Sequence, residues 1–447
     1  MKAPLDVAGR ARRRITLRLM PFLVLIYLTA YLDRANISIA KLHMQSALNL
    51  NDETIGIGAG IFFLGYFLLE IPGSLIVENW SARKWLARIM VSWGVVATLT
   101  GFAGMLPVGL SVRSQFYWLR FFLGAAEAGF FPGVVVYLSH WFREQDRSSA
   151  KAWFMIAQPL SVVIGLPVSR WILETVHWHG LDGWRWVFIL EGIPPVLLGF
   201  VTLRYLTDRP HQAKWLPEDE KQWLLNELSL EARARTAAGR VAILAAFRQP
   251  QTLLLAASFF LIVTGNQAIL FFLPSLTNNM RSLSIAWRTV VTVLPYIFSI
   301  GGILLNGYLA RRTRRLRLHT ATPMFLSGIS LGLAILSGNR LAFVIAFLCL
   351  VGLTFQAYLP VLWSIPSSYL GKSAAALAVG LINSFGNLGG FVGPSVFGYL
   401  RTTTGSYRDG LWCLTGCMFM AGVLAACIRP GNSSIDIMNR HESKETA

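Results

Sequence analysis

Twelve apolar stretches of about twenty residues, the length that spans a ~30 Å hydrocarbon core as a helix, recur along the 447-residue chain. They fall at 20–42, 55–77, 86–106, 115–138, 150–173, 185–206, 250–275, 287–309, 318–338, 341–363, 374–400 and 410–428. Inside lipid every backbone N–H and C=O must be satisfied within the protein, which leaves helices or closed barrels. Only 14% of the residues are charged, against about a quarter in an ordinary soluble protein. The pattern predicts an all-α membrane protein of twelve transmembrane helices.

The net charge of +18 does not point to nucleic acid, because of where the basic residues fall. Cytoplasmic loops of membrane proteins are enriched in Lys and Arg. With the N-terminus inside, 29 of the 40 basic residues lie in inside segments and nine outside, among them Lys41, Arg170 and Arg185; Arg34 and Arg120 are intramembrane. The bias predicts that both termini are cytoplasmic. The Arg12-Arg13-Arg14 run before the first span resembles a signal peptide, but that span is long enough to cross and carries Asp33-Arg34, without a small-residue cleavage site. Cys349, Cys413, Cys417 and Cys427 sit in late spans without zinc-finger or redox spacing and read as buried small hydrophobes.

One long polar segment, Thr207 to Arg248, separates six spans from six. It divides the chain into an N-terminal half (1–206), a linker (207–249), a C-terminal half (250–430) and a tail (431–447). Pro217 followed by Glu218, Asp219 and Glu220 fits a helix start, and Trp223, Leu224, Leu225 and Leu228 give that helix an apolar face for the cytoplasmic surface. Transporters are often built from such paired repeats, with the substrate near midplane between them. A weak echo between Gln158–Pro167 and Asn387–Pro394, each an amide ahead of a Gly/Pro bend, is in keeping with duplication.

The chemistry lies in the charges within the spans. A charged side chain at the bilayer centre costs at least ~2.5–3.5 kcal/mol, so such residues usually face a cavity or a partner. Asp33, Arg34, Glu70, Arg120, Glu127 and Glu191 all occur in apolar stretches of the first half, whereas Asp409 is the one acidic residue between Glu231 and Asp436. The second half offers amides and hydroxyls instead: Asn266, Gln267, Asn306, Gln356, Ser364, Asn383 and Asn387.

Arg120 and Glu127 are two turns apart on one face, about 10 Å along the axis. That separation suits opposite ends of a small-molecule site, with Arg matching a carboxylate bidentately; a structural pairing of Arg120 with a helix end is the competing reading. Asp33 and Arg34 are about 100° apart around a helix and cannot face the same way. A coupling role is assigned to Asp33 and anion binding to Arg34. Tyr31 and Tyr66 supply hydroxyls, Glu70 is either functional or a brace, and Glu191 reads as structural.

Other motifs fail. Gly371-Lys372-Ser373 ends like a phosphate loop, but Pro366 stands where Gly is required. His177 and His179 lack a third ligand. Gly56, Gly58 and Gly60 have the spacing of close helix packing. Neither a cofactor, a metal nor an enzymatic activity is expected.

These motifs resemble those of a known family. Tyr31-Leu32-Asp33-Arg34-Ala35-Asn36, Gly65-Tyr66-Phe67-Leu68-Leu69-Glu70-Ile71-Pro72 and, most specifically, Leu119-Arg120-Phe121-Phe122-Leu123-Gly124-Ala125-Ala126-Glu127-Ala128-Gly129-Phe130-Phe131-Pro132-Gly133 resemble the anion:cation symporter family of the major facilitator superfamily. Gly192-Ile193-Pro194-Pro195, Leu206-Thr207-Asp208-Arg209-Pro210 and Gly386-Asn387-Leu388-Gly389-Gly390 extend the resemblance over the whole chain. It implies import of an organic anion with protons, as in bacterial tartrate, phthalate and hydroxyphenylacetate permeases, by a multi-pass inner-membrane protein that works as a monomer. Arg34, Arg120, Tyr66, Gln158, Ser364 and Asn387, together with Tyr31 and Asn383, would hold the anion, and Asp33 and Glu127 the protons. The superfamily's loop motif is degenerate here: Glu78 and Arg83 retain a gating role, but both glycines are lost.

Two other classes compete with import. An exporter of the same fold usually has a Gly-rich Pro motif in span five, of which only Gly165-Leu166-Pro167 remains. A non-transporting anion receptor would carry a signalling domain.

Overall fold

The computed structural model describes residues 4–236, 249–370 and 372–429, which are helical almost throughout, with no strand among them. The helices are α1 (Pro4–Leu48), α2 (Asp52–Asn79), α3 (Ala82–Thr100), α4 (Val112–Glu127), α5 (Phe130–Trp141), α6 (Glu144–Thr175), α7 (Gly183–Tyr205) and α8 (Glu218–Thr236). They continue as α9 (Pro250–Asn278), α10 (Ile285–Thr313), α11 (Leu316–Leu336), α12 (Leu341–Phe355), α13 (Leu359–Leu362), α14 (Pro366–Tyr369), α15 (Lys372–Thr404) and α16 (Tyr407–Cys427).

Each of the twelve predicted segments falls on a helix or a helix pair. Among the described residues, ten helical stretches are long and apolar enough to cross a membrane. The other two are α3 and α15. Arg83, Lys84 and Arg88 lower the apolarity of α3, and Asn383 and Asn387 that of α15. Two segments predicted as continuous are broken. The fourth breaks between α4 and α5, where Ala128 is extended and Gly129 takes φ +82°. The tenth breaks at Gln356–Tyr358, ahead of Pro360.

The chain forms two compact units: Met1–Gly239 with Leu270–Val293, and Arg240–Ile269 with Leu294–Ala447. In the first unit, small residues bring helices into backbone contact. A side chain at Gly124 would strike the Phe62 carbonyl, and one at Gly65 the Phe121 carbonyl, so α2 and α4 pack without intervening side chains. Gly94 and Gly192 serve α3 and α7 in the same way. Polar caps close the helix ends. Asn51 accepts from the Thr54 N–H at 2.8 Å, and the Arg185 guanidinium donates to the carbonyls of Gly101 and Ala103 beyond α3. Arg185 is therefore buried rather than a free outside charge. Lys41 is likewise fully buried, 2.7 Å from Asp52 and with its ammonium over the Phe272 ring.

The linker helix α8 packs on the first unit. Leu224 is buried, as its apolar face predicts. Arg10 pairs with Asp219, Arg14 with Glu220, Arg143 with Glu227 and Arg147 with Glu231, at 2.7–3.0 Å. At its exposed N-terminus the Lys221 ammonium, with the Gln222 amide, holds the Glu218 carboxyl below the ordinary range.

In the second unit, amides stitch the broken tenth segment. Asn266 donates to the Phe355 carbonyl at 2.9 Å and Asn306 to the Ala357 carbonyl at 2.7 Å, while the Gln356 side chain accepts from Ser299. Asn306 also accepts from His319 Nδ1 at 2.7 Å. Three of the seven amide and hydroxyl side chains that the second half offers are thus engaged in bracing α12 and α13.

Candidate functional site

The centre of the first unit gathers six of the predicted site residues from three helices. Asp33 and Arg34 come from α1, Tyr66 from α2, and Arg120 and Glu127 from α4, with Tyr31 one turn before Arg34. The Arg34 guanidinium lies 2.6 Å from Glu127 Oε1. Its carbon sits 4.9 Å from the Tyr31 ring and 5.1 Å from both Tyr66 and Phe62. The Arg120 guanidinium carbon lies 5.1 Å from the same Phe62 ring, and its Nε reaches the Gly58 carbonyl at 3.4 Å.

Arg34 and Glu127 form the direct pair that spacing along one helix could not supply. Arg120 and Glu127 remain two turns apart on α4, as predicted, and the partner for Glu127 comes instead from α1. Glu127 is the last residue of α4, just before the turn at Ala128 and Gly129. That break sets it at a helix end, the discontinuous geometry that transporters use around bound ions.

Asp33 turns away from Arg34, accepting from the Asn36 amide at 3.0 Å. Arg120 is the cation that acts most on it. Asp33, Arg120 and Glu127 are all at most 3% exposed. Yet Arg120 Nη1 and Asp33 Oδ2 have no hydrogen-bond partner among the described residues. Buried polar atoms are normally paired, and an unpaired one asks for a ligand, water or ion. A buried guanidinium with a free edge is suited to a carboxylate, and a buried acid with a free oxygen is suited to a proton.

The sequence reading missed two residues here. Phe62 lies one turn before Tyr66 on α2 and serves both guanidiniums; the i, i+4 aromatic spacing was visible, but not its orientation. Asn36 lies three residues after Asp33, a spacing that alone would have suggested the bond.

The remaining predicted residues lie elsewhere. Gln158 is half-buried on α6, one turn beyond Phe154, whose ring stacks on Tyr27 at 3.9 Å. Ser364, Asn383 and Asn387 belong to the second unit. Ser364 Oγ donates to the Val361 carbonyl at 2.6 Å, and Asn383 and Asn387 lie one turn apart on α15, both half-buried. The Glu78 side chain lies outside the described residues. Arg83 and its neighbour engage Asp208: the Arg83 N–H donates to Asp208 Oδ1 at 2.9 Å and Ser81 Oγ to Oδ2 at 2.7 Å. Among the described residues no His, Cys, Asp and Glu cluster could hold a metal ion.

Helical spans around a buried, charge-lined centre define a multi-pass membrane transporter rather than an enzyme. The Major Facilitator Superfamily profile matches residues 23–394. The chain belongs to that superfamily. It is 40% identical over 422 residues to a protein of Agrobacterium vitis named "Putative tartrate transporter", with 94% of each chain covered. It is 34% identical over 414 residues to the "Quinolone resistance transporter" of Acinetobacter baumannii, covering 92% of this chain and 93% of the other. The fold is that of the crystal structure of a D-xylose–proton symporter, with a TM-score of 0.71 at 16% identity, covering 93% of this chain and 98% of the other.

Proposed function

We propose that the protein is a secondary active transporter that imports a small organic anion, a dicarboxylate of the tartrate kind or an aromatic acid, together with protons by alternating access. The observation that carries this reading is the pairing of Arg34 with Glu127 beside an Arg120 whose Nη1 is unbonded. Arg120 presents its free edge to the substrate carboxylate. Protonation of Glu127 releases Arg34 to bind the anion, and Asp33 takes a second proton next to Arg120. Anion binding and proton binding are thereby linked through shared cations. The reading also assigns Tyr31, Tyr66, Gln158, Ser364, Asn383 and Asn387 to substrate binding. Arg83, held at Asp208, contributes to gating with Glu78. A bacterial inner-membrane location and a monomeric working unit complete the proposal.

The test is uptake of labelled tartrate, phthalate and 4-hydroxyphenylacetate into proteoliposomes with and without an inward proton gradient. Accumulation of one of them only with the gradient supports proton-coupled import. Equilibration regardless of the gradient removes Asp33 and Glu127 from coupling. The 34% identity to a relative named for quinolone resistance favours one second reading, a proton-driven exporter. In that case a gradient acid inside the vesicle would drive loss of preloaded fluoroquinolone, and none of the three acids would accumulate.

A further inference from the structure

The turn between α10 and α11 carries Arg311, Arg312, Arg314, Arg315 and Arg317, all of them exposed. Among the described residues none of these arginines has an acidic partner. In the first unit, by contrast, Arg10, Arg14, Arg143 and Arg147 are each matched by an acid of α8. The second unit has no acid to offer at this turn. Asp409, the one acidic residue between Glu231 and Asp436, stands in the first turn of α16. Trp412 and Thr415 of that helix pack on Gly332, roughly 24 Å along α11 from Leu316. The 431–447 tail sets Asp436, Glu442 and Glu445 against Arg440 and Lys444, too little net charge to balance the turn.

The turn is braced from within. Arg314 takes φ +56°, and its N–H donates to the Ala310 carbonyl at 2.9 Å, closing α10. The buried His319 ring joins Thr313 Oγ1 and Asn306 Oδ1, at 2.7 Å each, and the Asn306 amide donates to the His319 carbonyl at 2.8 Å. Like charges are thus gathered on one fixed bend. At the start of α11, Arg315 makes no side-chain cap and the first turn holds no acid. The positive end of that helix therefore adds to Arg315 and Arg317 instead of offsetting them. Charge complementarity calls for an anion from outside the chain. Leu305, Tyr308 and Leu318 indicate which anion: each is at least 50% exposed, on helices long and apolar enough to span a membrane, so they face acyl chains. The arginines then lie just beyond them, at the depth of lipid headgroups. Guanidinium forks match phosphate oxygens bidentately, and basic clusters beside a span attract anionic lipids.

We propose that the α10–α11 turn binds an anionic phospholipid of the cytoplasmic leaflet, with Arg311, Arg312, Arg314 and Arg315 on the headgroup phosphate and the acyl chains along Tyr308 and Leu318. The leaflet follows from the charge bias of the sequence. The site itself is independent of which anion is transported and of proton coupling.

The test uses the purified full-length protein in a neutral detergent. Native mass spectrometry with added phosphatidylglycerol and phosphatidylcholine should show the first bound at least about tenfold more tightly, with the preference shrinking as salt rises. The combined variant Arg311→Gln, Arg312→Gln, Arg314→Gln, Arg315→Gln should bind phosphatidylglycerol about a hundredfold more weakly and phosphatidylcholine as before. The matching fourfold Lys variant, which keeps the charge, should retain most of the preference. Photoactivatable phosphatidylglycerol crosslinked to the wild type should map to peptides within 304–318, a readout that stands even if the Gln variant does not fold. Equal affinity for the two lipids, undiminished phosphatidylglycerol binding by a folded Gln variant, or adducts only outside 304–318 overturns the proposal. Displacement of phosphatidylglycerol by an equal concentration of glycerol phosphate would show a site for free anions and overturn the assignment to lipid.

Discussion

The Phe62 ring lies within cation–π distance of two guanidiniums, Arg34 and Arg120. Each such contact contributes about 0.5–2 kcal/mol when desolvated, so Phe62→Leu should raise KM for the transported anion about tenfold. A direct binding assay on the same variant checks whether the loss is in affinity. Arg120→Lys should cost more, because an ammonium keeps the charge but loses the planar fork. About a hundredfold lower kcat/KM is expected, on the scale of two lost charge-assisted bonds. These residues differ in how readable they were. Arg120 and Glu127 are conspicuous as charges in apolar spans. Phe62 is one of 28 phenylalanines, and nothing in composition marks it. The Arg34–Glu127 pair was hidden for a different reason: helical spacing relates residues of one helix only, and this contact joins α1 to α4.

At the scale of elements, the break after α4 is the feature that positions Glu127. Gly129 has φ +82°, and a Cβ there would lie 3.2 Å from the Gly73 Cα of α2. Left-handed backbone costs an L-residue roughly 1–2 kcal/mol, and here the neighbour is backbone that cannot move aside. Gly129→Ala should therefore lower the thermal midpoint in detergent and weaken transport as Glu127 shifts. Gly301→Ala on α10 is the control. A Cβ there meets nothing within 4 Å, and Ala is preferred over Gly in a helix by about 1 kcal/mol, so its midpoint should hold or rise. Equal melting of the two variants would mean that the turn is not needed. Hydropathy located all twelve helical segments but not this break, because Ala128-Gly129 is as apolar as its surroundings and only packing against α2 requires the turn. The same limit hid the break at Gln356–Tyr358. It also made Lys41 look like an outside charge, although Asp52 and Phe272 bury it.

For the whole molecule, the decisive property is that all deep carboxylates belong to the first unit. Importing a dianion against 100 mV, negative inside, costs about 4.6 kcal/mol, twice the ~2.3 kcal/mol per charge. That is more than three decades of accumulation at 1.36 kcal/mol per decade. On the proposed reading, two protons, on Asp33 and Glu127, would make the loaded carrier's movement electroneutral. Uptake of a dianion such as tartrate into proteoliposomes should then follow an imposed pH gradient and be indifferent to a potassium–valinomycin potential. With Glu127→Gln, one exchangeable proton is gone, and any transport that survives should become slower when the interior is made negative. Ser364→Ala and Asn387→Ala, in the second unit, should raise KM several-fold, the scale of one or two hydrogen bonds, and leave the insensitivity to potential intact. If wild-type uptake is instead suppressed by a negative interior, fewer than two protons accompany the dianion, and one of the two carboxyls serves only to hold its arginine.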